Sequence, residues 1–208
     1  MIVSGCASSL VLLWLDAEGS TSSTFASHSL TANSDVAGLD PNASASYGSS
    51  AVNVGYLSAR AVQNIAAAAN YTLGNFVFGV NYSNAQYFSG SHSLFVSTAI
   101  FNTYGAFLRY KFNNAMDVAA GYSYTRASKS NGIDDSAKYH QVSLKEAYHF
   151  SKRTTVYALQ AWQHATGRTL DSSGEIIDAA PVVGDSQNST PSTTLEQFVA
   201  MFGLAVSF

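Results

Sequence analysis

The sequence predicts an all-β fold, an antiparallel transmembrane β-barrel of which about 8–10 strands are present. Two observations predict it. Only 11% of the 208 residues are charged while 12% are aromatic, whereas an average soluble domain carries about 25% charged residues. The second observation is a series of segments of about 12 residues in which apolar side chains alternate with small or polar ones, between short turns and long polar loops.

Composition excludes several other classes of protein. The aromatic content excludes intrinsic disorder, and three prolines with one cysteine exclude collagen-like and disulfide-stapled chains. A formal net charge of −3 provides no basic surface for nucleic acid. The longest apolar runs, residues 10–15 and 66–69, are shorter than the about 18 residues of a spanning helix. Such a chain satisfies its backbone in a bilayer only as a closed barrel.

Residues 1–50 differ in character from residues 51–208. Over 1–50 we expect an atypical, loop-rich segment with at most one strand, and over 51–208 barrel strands with external loops. Residues 9–16 are predicted to be a strand of a longer chain. Residues 17–50 are rich in Ser, Thr, Ala and Asn, which favours a long surface loop.

The start of the chain lacks the features of a secretory leader. No Lys or Arg precedes Arg60, although a leader needs a basic region ahead of its apolar stretch. The residues around Cys6 resemble a lipobox, but the apolar run 10–15 follows Cys6 instead of preceding it. We therefore expect that Met1 is not the natural start.

From residue 51 onward the chain has a repeat. Short turns are predicted at residues 71–76, 110–116 and 148–154. A shift of 38 positions superposes the second turn on the third and matches Tyr110 with Tyr148. Each unit holds two strands, one tight turn and one long polar loop, as in the hairpins of outer-membrane barrels. The external loops are predicted at residues 83–98, 128–137 and 168–194.

The alternation within the strands assigns a lipid-facing and a lumen-facing side. One side of residues 116–125 carries Met116, Val118, Tyr122 and Tyr124, and the other is small and polar. Aromatic side chains near strand ends fit the two membrane interfaces. A soluble β-sandwich is the alternative, but it would favour Ile, Leu and Val inside and many more Lys and Glu outside.

Fixed charges on the predicted lumen face are the candidate functional residues, because charges on a pore wall bias which ions enter. The predicted lumen charges are Arg109, Lys111, Asp117, Arg126 and Lys145. By contrast, Lys152 and Arg153 are expected to meet water or headgroups because they lie in a tight turn.

Three residues break the expected pattern. Phe107 and Leu159 put apolar bulk on faces that should be polar, and Glu146 stands where a small lipid-facing residue is expected. A carboxylate on the lipid face costs less than the roughly 2–4 kcal/mol of a midplane Arg or Lys, so a site near a rim tolerates it.

No catalytic motif is present in the sequence. It contains no Gly-x-Ser-x-Gly, no Gly-x-Gly-x-x-Gly, no His-x-x-x-His and no second cysteine. The five histidines are His28, His92, His140, His149 and His164. His28 and His92 lie in predicted loops, and the other three histidines lie near strand ends, where an amphipathic ring suits a membrane interface. We therefore predict no enzyme, no metal and no cofactor. A Ser–His–Asp triad across strands is the enzymatic alternative.

Several stretches together carry a family resemblance. They are residues 104–125, 139–144, 147–148, 150–154, 156–157, 163–167 and 202–204, with Phe208. At this spacing they resemble the C-terminal region of general porins of the Burkholderia and Neisseria type. The resemblance is specific over 100–208, weaker over 60–99 and absent over 1–45.

The resemblance implies a homotrimer of roughly 16-stranded barrels in the outer membrane of a Gram-negative bacterium, of which this chain is the C-terminal part. It implies passive diffusion of small hydrophilic solutes and ions through a water-filled barrel. The expected partners are outer-membrane lipid, further copies of the chain, the barrel assembly machinery and the solutes, and not nucleic acid. The alternative is a truncated, non-conducting structural barrel or porin remnant.

The closing segment is expected to carry an assembly signal. Apolar residues occupy every second position in Phe202, Leu204, Val206 and Phe208, which resembles the C-terminal signal that the assembly machinery binds. Two departures from the family accompany it. Ala205 and Ser207 stand where Arg is usual, and the loop that constricts the lumen belongs to the half of the family's barrel that this chain lacks.

Overall fold

The computed structural model describes residues 8–9, 22–32, 52–113, 115–151, 153–183 and 190–206, the first two ranges by backbone alone. Its strands are β1 Ser8–Ser9, β2 Ser22–Ala32, β3 Ala61–Leu73, β4 Phe76–Phe88, β5 Ala99–Lys111, β6 Met116–Ala127, β7 Lys138–His149, β8 Thr154–Thr166, β9 Arg168–Leu170, β10 Ile176–Asp178 and β11 Glu196–Val206. A single 3-10 turn, Val54–Tyr56, precedes β3.

One antiparallel sheet contains nearly all of these strands. Its nine strands follow the order β1-β2-β3-β4-β5-β6-β7-β8-β11, and β9 with β10 forms a separate two-stranded ribbon. Within the described residues the sheet is open, with β1 and β11 at its edges. The predicted all-β antiparallel fold and its number of strands are confirmed. No helix in the described part of the chain is long and apolar enough to cross a membrane.

The three predicted tight turns are confirmed and lie at one end of the sheet, called here the turn end. Gly74 adopts a φ of +57° between β3 and β4, a conformation that glycine adopts without steric cost. Between β5 and β6 the Asn113 Oδ1 accepts backbone hydrogen bonds from Ala115 and Met116, both 2.8 Å. The Ser151 hydroxyl accepts the corresponding bonds in the third turn. The opposite end, with the long connections, is the loop end.

Two sequence predictions about loops are wrong. Residues 22–32 form β2, which pairs with β3 from Ser22↔Tyr71 to Ala32↔Ala61. Their Ser, Thr and Ala side chains give little apolar contrast, so a strand held by its backbone ladder shows no period in the sequence. In the first loop, β4 continues to Phe88, five residues beyond the predicted start. Of the predicted strand 9–16, residues 10–16 lie outside the described part of the chain.

The register defines two faces of the sheet. We call the side that carries Phe78, Tyr104 and Phe202 the outer face, and the side that carries Gly105, Ser123 and Gln141 the inner face. Large apolar side chains on the outer face are exposed, with Phe202 at 78% and Val80 at 58%. Exposed apolar area on this scale marks a surface that contacts lipid or protein.

The buried core lies on the inner face at the loop end. Tyr87, Phe101 and Tyr139 project from the strands, and Tyr56 and Phe95 come from the loops that fold over them. The Tyr56 and Phe95 rings meet edge to face at 5.2 Å. We call this cluster the cap. Its apolar contacts bring the loops over the inner face, where they lie across the loop end of the sheet.

Candidate functional site

Four of the five predicted lumen charges lie together on the inner face near the turn end. The register places Lys111 opposite Asp117 and puts Arg109, Ala119 and Lys145 in one cross-strand row. These residues come from three consecutive strands, so the sheet assembles them although the sequence separates them by up to 36 positions.

Arg126 is a correction to the predicted set. It pairs with Asn102 and Lys138, and the alternation of β6 puts it on the outer face with Tyr124. Side chains alternate strictly along a strand, and position 126 has the opposite parity to Asp117. Arg126 is exposed and lies at the loop end of the outer face.

The outer face is polar near Arg126. The Asn102 Oδ1 accepts hydrogen bonds from the Tyr82 hydroxyl and the Asn84 amide, both 2.8 Å, and the Asn84 Oδ1 accepts one from Gln86. These side chains thus satisfy one another with hydrogen bonds on the outer face. Glu146 also lies on the outer face, between Val118 and Ala158, and it is exposed as its parity predicts.

The centre of the charged region is an ion pair between Arg109 and Asp117. The Arg109 Nη2 donates to Asp117 Oδ2 at 2.8 Å and Nε donates to Oδ1 at 3.2 Å, a two-pronged arrangement that fixes both side chains. The Asp117 side chain is 7% exposed and that of Arg109 39%. The carboxylate is therefore enclosed by the wall, and the guanidinium faces the space above it.

His149 joins this pair, and the sequence analysis missed it. Its Nε2 lies 3.0 Å from Asp117 Oδ2, and its Nδ1 lies 2.8 Å from the Thr155 hydroxyl. The repeat contained a clue, because the shift that matches Tyr110 with Tyr148 places His149 on Lys111. Lys111 is the last residue of β5 and His149 the last residue of β7, and each places a polar side chain on the inner face.

The order Thr155, His149, Asp117 has the connectivity of a hydrolase triad, but its electrostatics differ. A triad carboxylate serves the imidazole alone, whereas the Asp117 Oδ2 also accepts from Arg109. The Asp117 carboxylate is therefore shared between the guanidinium and the imidazole and does not serve His149 alone. The cluster is better suited to hold fixed charge on a wall than to activate a hydroxyl.

Apolar side chains continue the charged row and occupy the next row toward the loop end. Leu159 and Met201 lie in the row of Arg109 and Lys145, Phe107 and Val199 lie in the next row, and all four apolar residues line one cavity. The cavity has a volume of about 570 Å³. Its floor is made of small residues, of which Gly121, Ser143 and Ala161 share one cross-strand row with Phe107.

Glycines on the inner face accommodate the large rings. A Cβ built at Gly79 collides with the ring of Phe107, and one built at Gly203 collides with the ring of Tyr157. Each ring therefore lies over the glycine of the neighbouring strand. Cross-strand aromatic and glycine pairs of this kind fix the register, and they keep Phe107 clear of the cavity floor.

A layer of glutamines lies above the apolar layer and holds a loop segment. The Gln163 Oε1 accepts from the Val182 backbone at 2.6 Å, and the Gln197 Oε1 accepts from the Val183 backbone at 2.7 Å. Gln141 accepts from Gln163 at 3.0 Å. Residues 179–183 consequently run over the inner face, where Val183 covers part of the cavity. We call them the inward segment.

The loops of the cap are tied to each other by polar contacts. Asn131, at a φ of +55°, accepts three hydrogen bonds at its Oδ1, from the Val96 and Ser97 backbones and the Ser97 hydroxyl. Its Nδ2 donates to the Ser97 carbonyl at 2.9 Å.

The cap loops also shift the pKa of two titratable groups. Burial in the cap raises the pKa of the Tyr56 phenol above its ordinary value. The Lys138 ammonium, 2.9 Å from Asp135, holds the pKa of that exposed carboxyl below its usual range.

Three of the four residues of the predicted assembly signal are in the described chain. Phe202, Leu204 and Val206 share the outer face of β11 and are exposed, while Phe208 lies outside the described residues. Among the described residues, no group of three or more His, Cys, Asp or Glu side chains could hold a metal ion.

Residues 15–167 match the family model of the Gram-negative porins. The chain belongs to this family. Membership places the protein in the outer membrane. The match begins at residue 15, so the expectation that the resemblance is absent over residues 1–45 is wrong from residue 15 onward, in the same region where β2 was missed.

Two solved structures of an outer-membrane protein from Vibrio cholerae are similar to the porin chain. In vitro folded OmpT, in its trimer form, is 18% identical with a TM-score of 0.52, over 88% of this chain and 51% of that one. OmpT expressed in the outer membrane is also 18% identical, with a TM-score of 0.49, over 70% and 42% of the two chains. The chain thus spans about half the length of the structures it matches. None of the curated proteins compared with it matches.

Proposed function

We propose that the whole protein is a porin through which small hydrophilic solutes and ions diffuse passively, without catalysis and without a cofactor. The observation that carries this proposal is the opposite character of the two faces. The outer face exposes large apolar side chains, which suit lipid, and the inner face carries the charged row and the glutamines. Alternation of this kind is what a water-filled barrel in a membrane requires.

Charged side chains on the inner face set the ion preference in this proposal. Arg109, Lys111 and Lys145 oppose a single carboxylate, Asp117, and three cations against one anion favour anions in the lumen. Lys145 is exposed and takes part in no ion pair in the part of the chain described. Its charge therefore acts on the lumen undiminished, whereas that of Arg109 is partly offset by Asp117.

The inward segment and the cap narrow the lumen in this proposal. The Val182 and Val183 amides are held on the inner face by the side chains of two strands. At the other end of the segment the Ala179 amide donates to the Gly167 carbonyl at 2.9 Å, and a segment held at both ends restricts the size of a passing solute. The inward segment narrows the lumen in addition to the constriction loop that another part of the barrel provides.

The complete assembly is proposed as a homotrimer of roughly 16-stranded barrels of the Burkholderia and Neisseria type. Unpaired sheet edges are excluded from the hydrocarbon region of a membrane, which supports further strands beside β11 and at the opposite edge. A trimeric form of the similar Vibrio protein supports the trimer. Phe202, Leu204, Val206 and Phe208 are proposed to form the segment that the barrel assembly machinery binds.

Conductance of the whole protein, including the strands that close its barrel, tests the proposal in planar lipid bilayers. We expect discrete current steps in salt solution, with a reversal potential that indicates anion preference in a salt gradient. A whole protein that inserts into the bilayer, as shown by flotation with vesicles, but gives no current steps contradicts the proposal and supports a non-conducting structural barrel.

A further inference from the structure

An apolar cavity is out of place on a wall that faces water. Lumen-facing residues of a porin are polar, because each apolar side chain exposed there orders water without a compensating contact. Phe107, Leu159, Val199 and Met201 nevertheless meet around one cavity on the inner face. Function is expected at positions that break a local rule of the fold, so we expect this cavity to bind a ligand.

The cavity has the form of a ligand site. Its volume of about 570 Å³ lies within the roughly 300–1,000 Å³ range of small-molecule pockets. Small residues make the floor, with Phe107 on one side and Leu159 and Met201 on the other. Val183 of the inward segment lies against it from the loop side and is fixed there by Gln197. Residues of five strands line the cavity and Val183 covers part of it, which leaves a slot for a slender apolar group.

One charge belongs to this cavity. Lys145 is among its lining residues and shares a cross-strand row with Leu159, so its ammonium borders the slot on the side of the turn end. Among the described residues, no acidic side chain lines the cavity and no ion pair involves Lys145. An occupant with an apolar body and a negative head would use both features.

We propose that this cavity binds amphipathic anions, with the alkyl body of a medium-chain carboxylate in the slot and its carboxylate on Lys145. The inference rests on the proposed function, because a channel wall is where such solutes would meet the site. A general porin with this cavity retains one class of solute on its lumen wall. Occupancy narrows the lumen beside the charged row and brings a negative charge next to Arg109, which lowers the preference for anions.

Titration calorimetry on the chain in nanodiscs of zwitterionic lipid tests the site, with empty nanodiscs as the blank. The probes are octanoate, decanoate and dodecanoate, with decyltrimethylammonium as the cation of matched chain length. We expect each methylene to tighten binding about threefold to fourfold until the slot is full, after which the affinity stays level. An affinity that keeps rising with chain length in the same way as in the blank indicates partition into lipid and overturns the proposal.

Variants separate the head contact from the slot. Lys145→Gln should weaken decanoate about tenfold without weakening the cation, because it removes a positive charge, and Lys145→Arg should restore binding. Ala161→Phe and, as a second variant, Ser143→Leu should fill the slot and abolish binding of every alkyl probe. Arg126→Gln removes one charge from the outer face and should leave the affinities unchanged. Wild-type affinity for decanoate in Lys145→Gln or in both slot variants overturns the proposal.

The outcomes for site and channel are distinguishable. Current steps in planar bilayers without binding of decanoate overturn the anion site and leave the porin proposal standing. Binding of decanoate by a chain that gives no current steps does the reverse. If both hold, decanoate should reduce the single-channel current of the wild-type chain and leave that of Ala161→Phe unchanged.

Discussion

Arg109 and Asp117 form a two-pronged ion pair between neighbouring strands, with the Nη2 to Oδ2 distance at 2.8 Å. The pair is asymmetric in exposure, because the carboxylate is enclosed and the guanidinium is partly open. It is the point from which His149 and Thr155 are ordered. The Asp117 carboxylate therefore both holds the neighbouring side chains in place and contributes a negative charge to the inner face.

Loss of the Asp117 charge should destabilise the barrel. In Asp117→Asn the two donors of Arg109 and the imidazole of His149 lose a common charged acceptor, and hydrogen bonds to charged groups contribute about 1.5–3 kcal/mol each. With Arg109 partly screened by water, we expect a decrease of about 1–3 kcal/mol in the free energy of unfolding, measured by urea titration in lipid vesicles. The control, Asp134→Asn, changes an exposed loop carboxylate and should stay within about 0.5 kcal/mol. Equal stability of both variants would contradict the role of Asp117.

Charge reversal should distinguish the inner from the outer face. Arg109→Glu and Lys145→Glu should shift the reversal potential in a salt gradient toward cation preference, because each puts a negative charge on the lumen wall. Lys145→Glu should shift it at least as far, since Lys145 has no acidic partner to lose among the described residues. Arg126→Glu makes the same charge change on the outer face and should leave the potential unchanged. A shift in Arg126→Glu with none in Arg109→Glu would reverse the assignment of faces.

The alternation along the strands made much of this predictable. A period of two residues fixes the face of every side chain once the register of one turn is known, so the repeat at residues 110–116 and 148–154 located the charged row. Arg126 was misplaced because it was chosen for its charge, although its parity with Tyr124 already put it outside. Phe107 and Leu159 were recognised as exceptions, but only the pairing of strands shows that they share a cavity.

Other features required the three-dimensional arrangement. The contact between His149 and Asp117 joins residues 32 positions apart, and no local pattern predicts it. The cap depends on loops whose polar composition gave no indication of Tyr56 or Phe95 packing on the inner face. In β2 the small side chains carry no alternation, so the backbone ladder with β3 stabilises a strand that the composition had assigned to a loop.

The cap should loosen at alkaline pH. Burial raises the pKa of Tyr56 above 10.0, so its neutral form is favoured when the cap is folded. The stabilisation is complete below the unfolded pKa, near 10, and is lost as the pH rises toward and through the folded value. We expect subtilisin cleavage in the cap loops, scaled to cleavage of an unfolded peptide at the same pH, to increase above about pH 10. Tyr56→Phe should remove part of this increase, because the phenols of Tyr87 and Tyr139 remain. A cleavage rate that is flat to pH 11.5, about 1.5 units above the reference pKa, would contradict it.

Asn131 should hold the first two external loops together. Asn131→Gly keeps the positive φ without strain but removes the four side-chain hydrogen bonds to residues 96 and 97, and we expect faster amide hydrogen exchange in residues 90–97. Asn131→Asp retains the accepting oxygen and should keep most of the protection, whereas Asn131→Ala adds about 1 kcal/mol of backbone strain. Unchanged exchange in Asn131→Gly would show that the apolar contacts of the cap suffice.

The outer face of β11 should govern insertion more than its inner face. Phe202 is 78% exposed on the side that meets lipid, and an apolar side chain of this size is worth about 2–3 kcal/mol when it leaves water. Phe202→Ser should therefore lower the fraction of heat-modifiable, membrane-extracted protein more than Met201→Ser, the adjacent change on the inner face.

Removal of Phe208 should act in the same direction if the assembly machinery binds these residues, while Phe208→Tyr should preserve the yield. The measurement is made in cells, with a leader peptide added and the periplasmic fraction analysed in parallel, so that failed assembly is separated from failed secretion. Equal yields for Phe202→Ser and Met201→Ser would contradict the lipid-facing assignment, because the adjacent Met201 lies on the opposite face of the same strand.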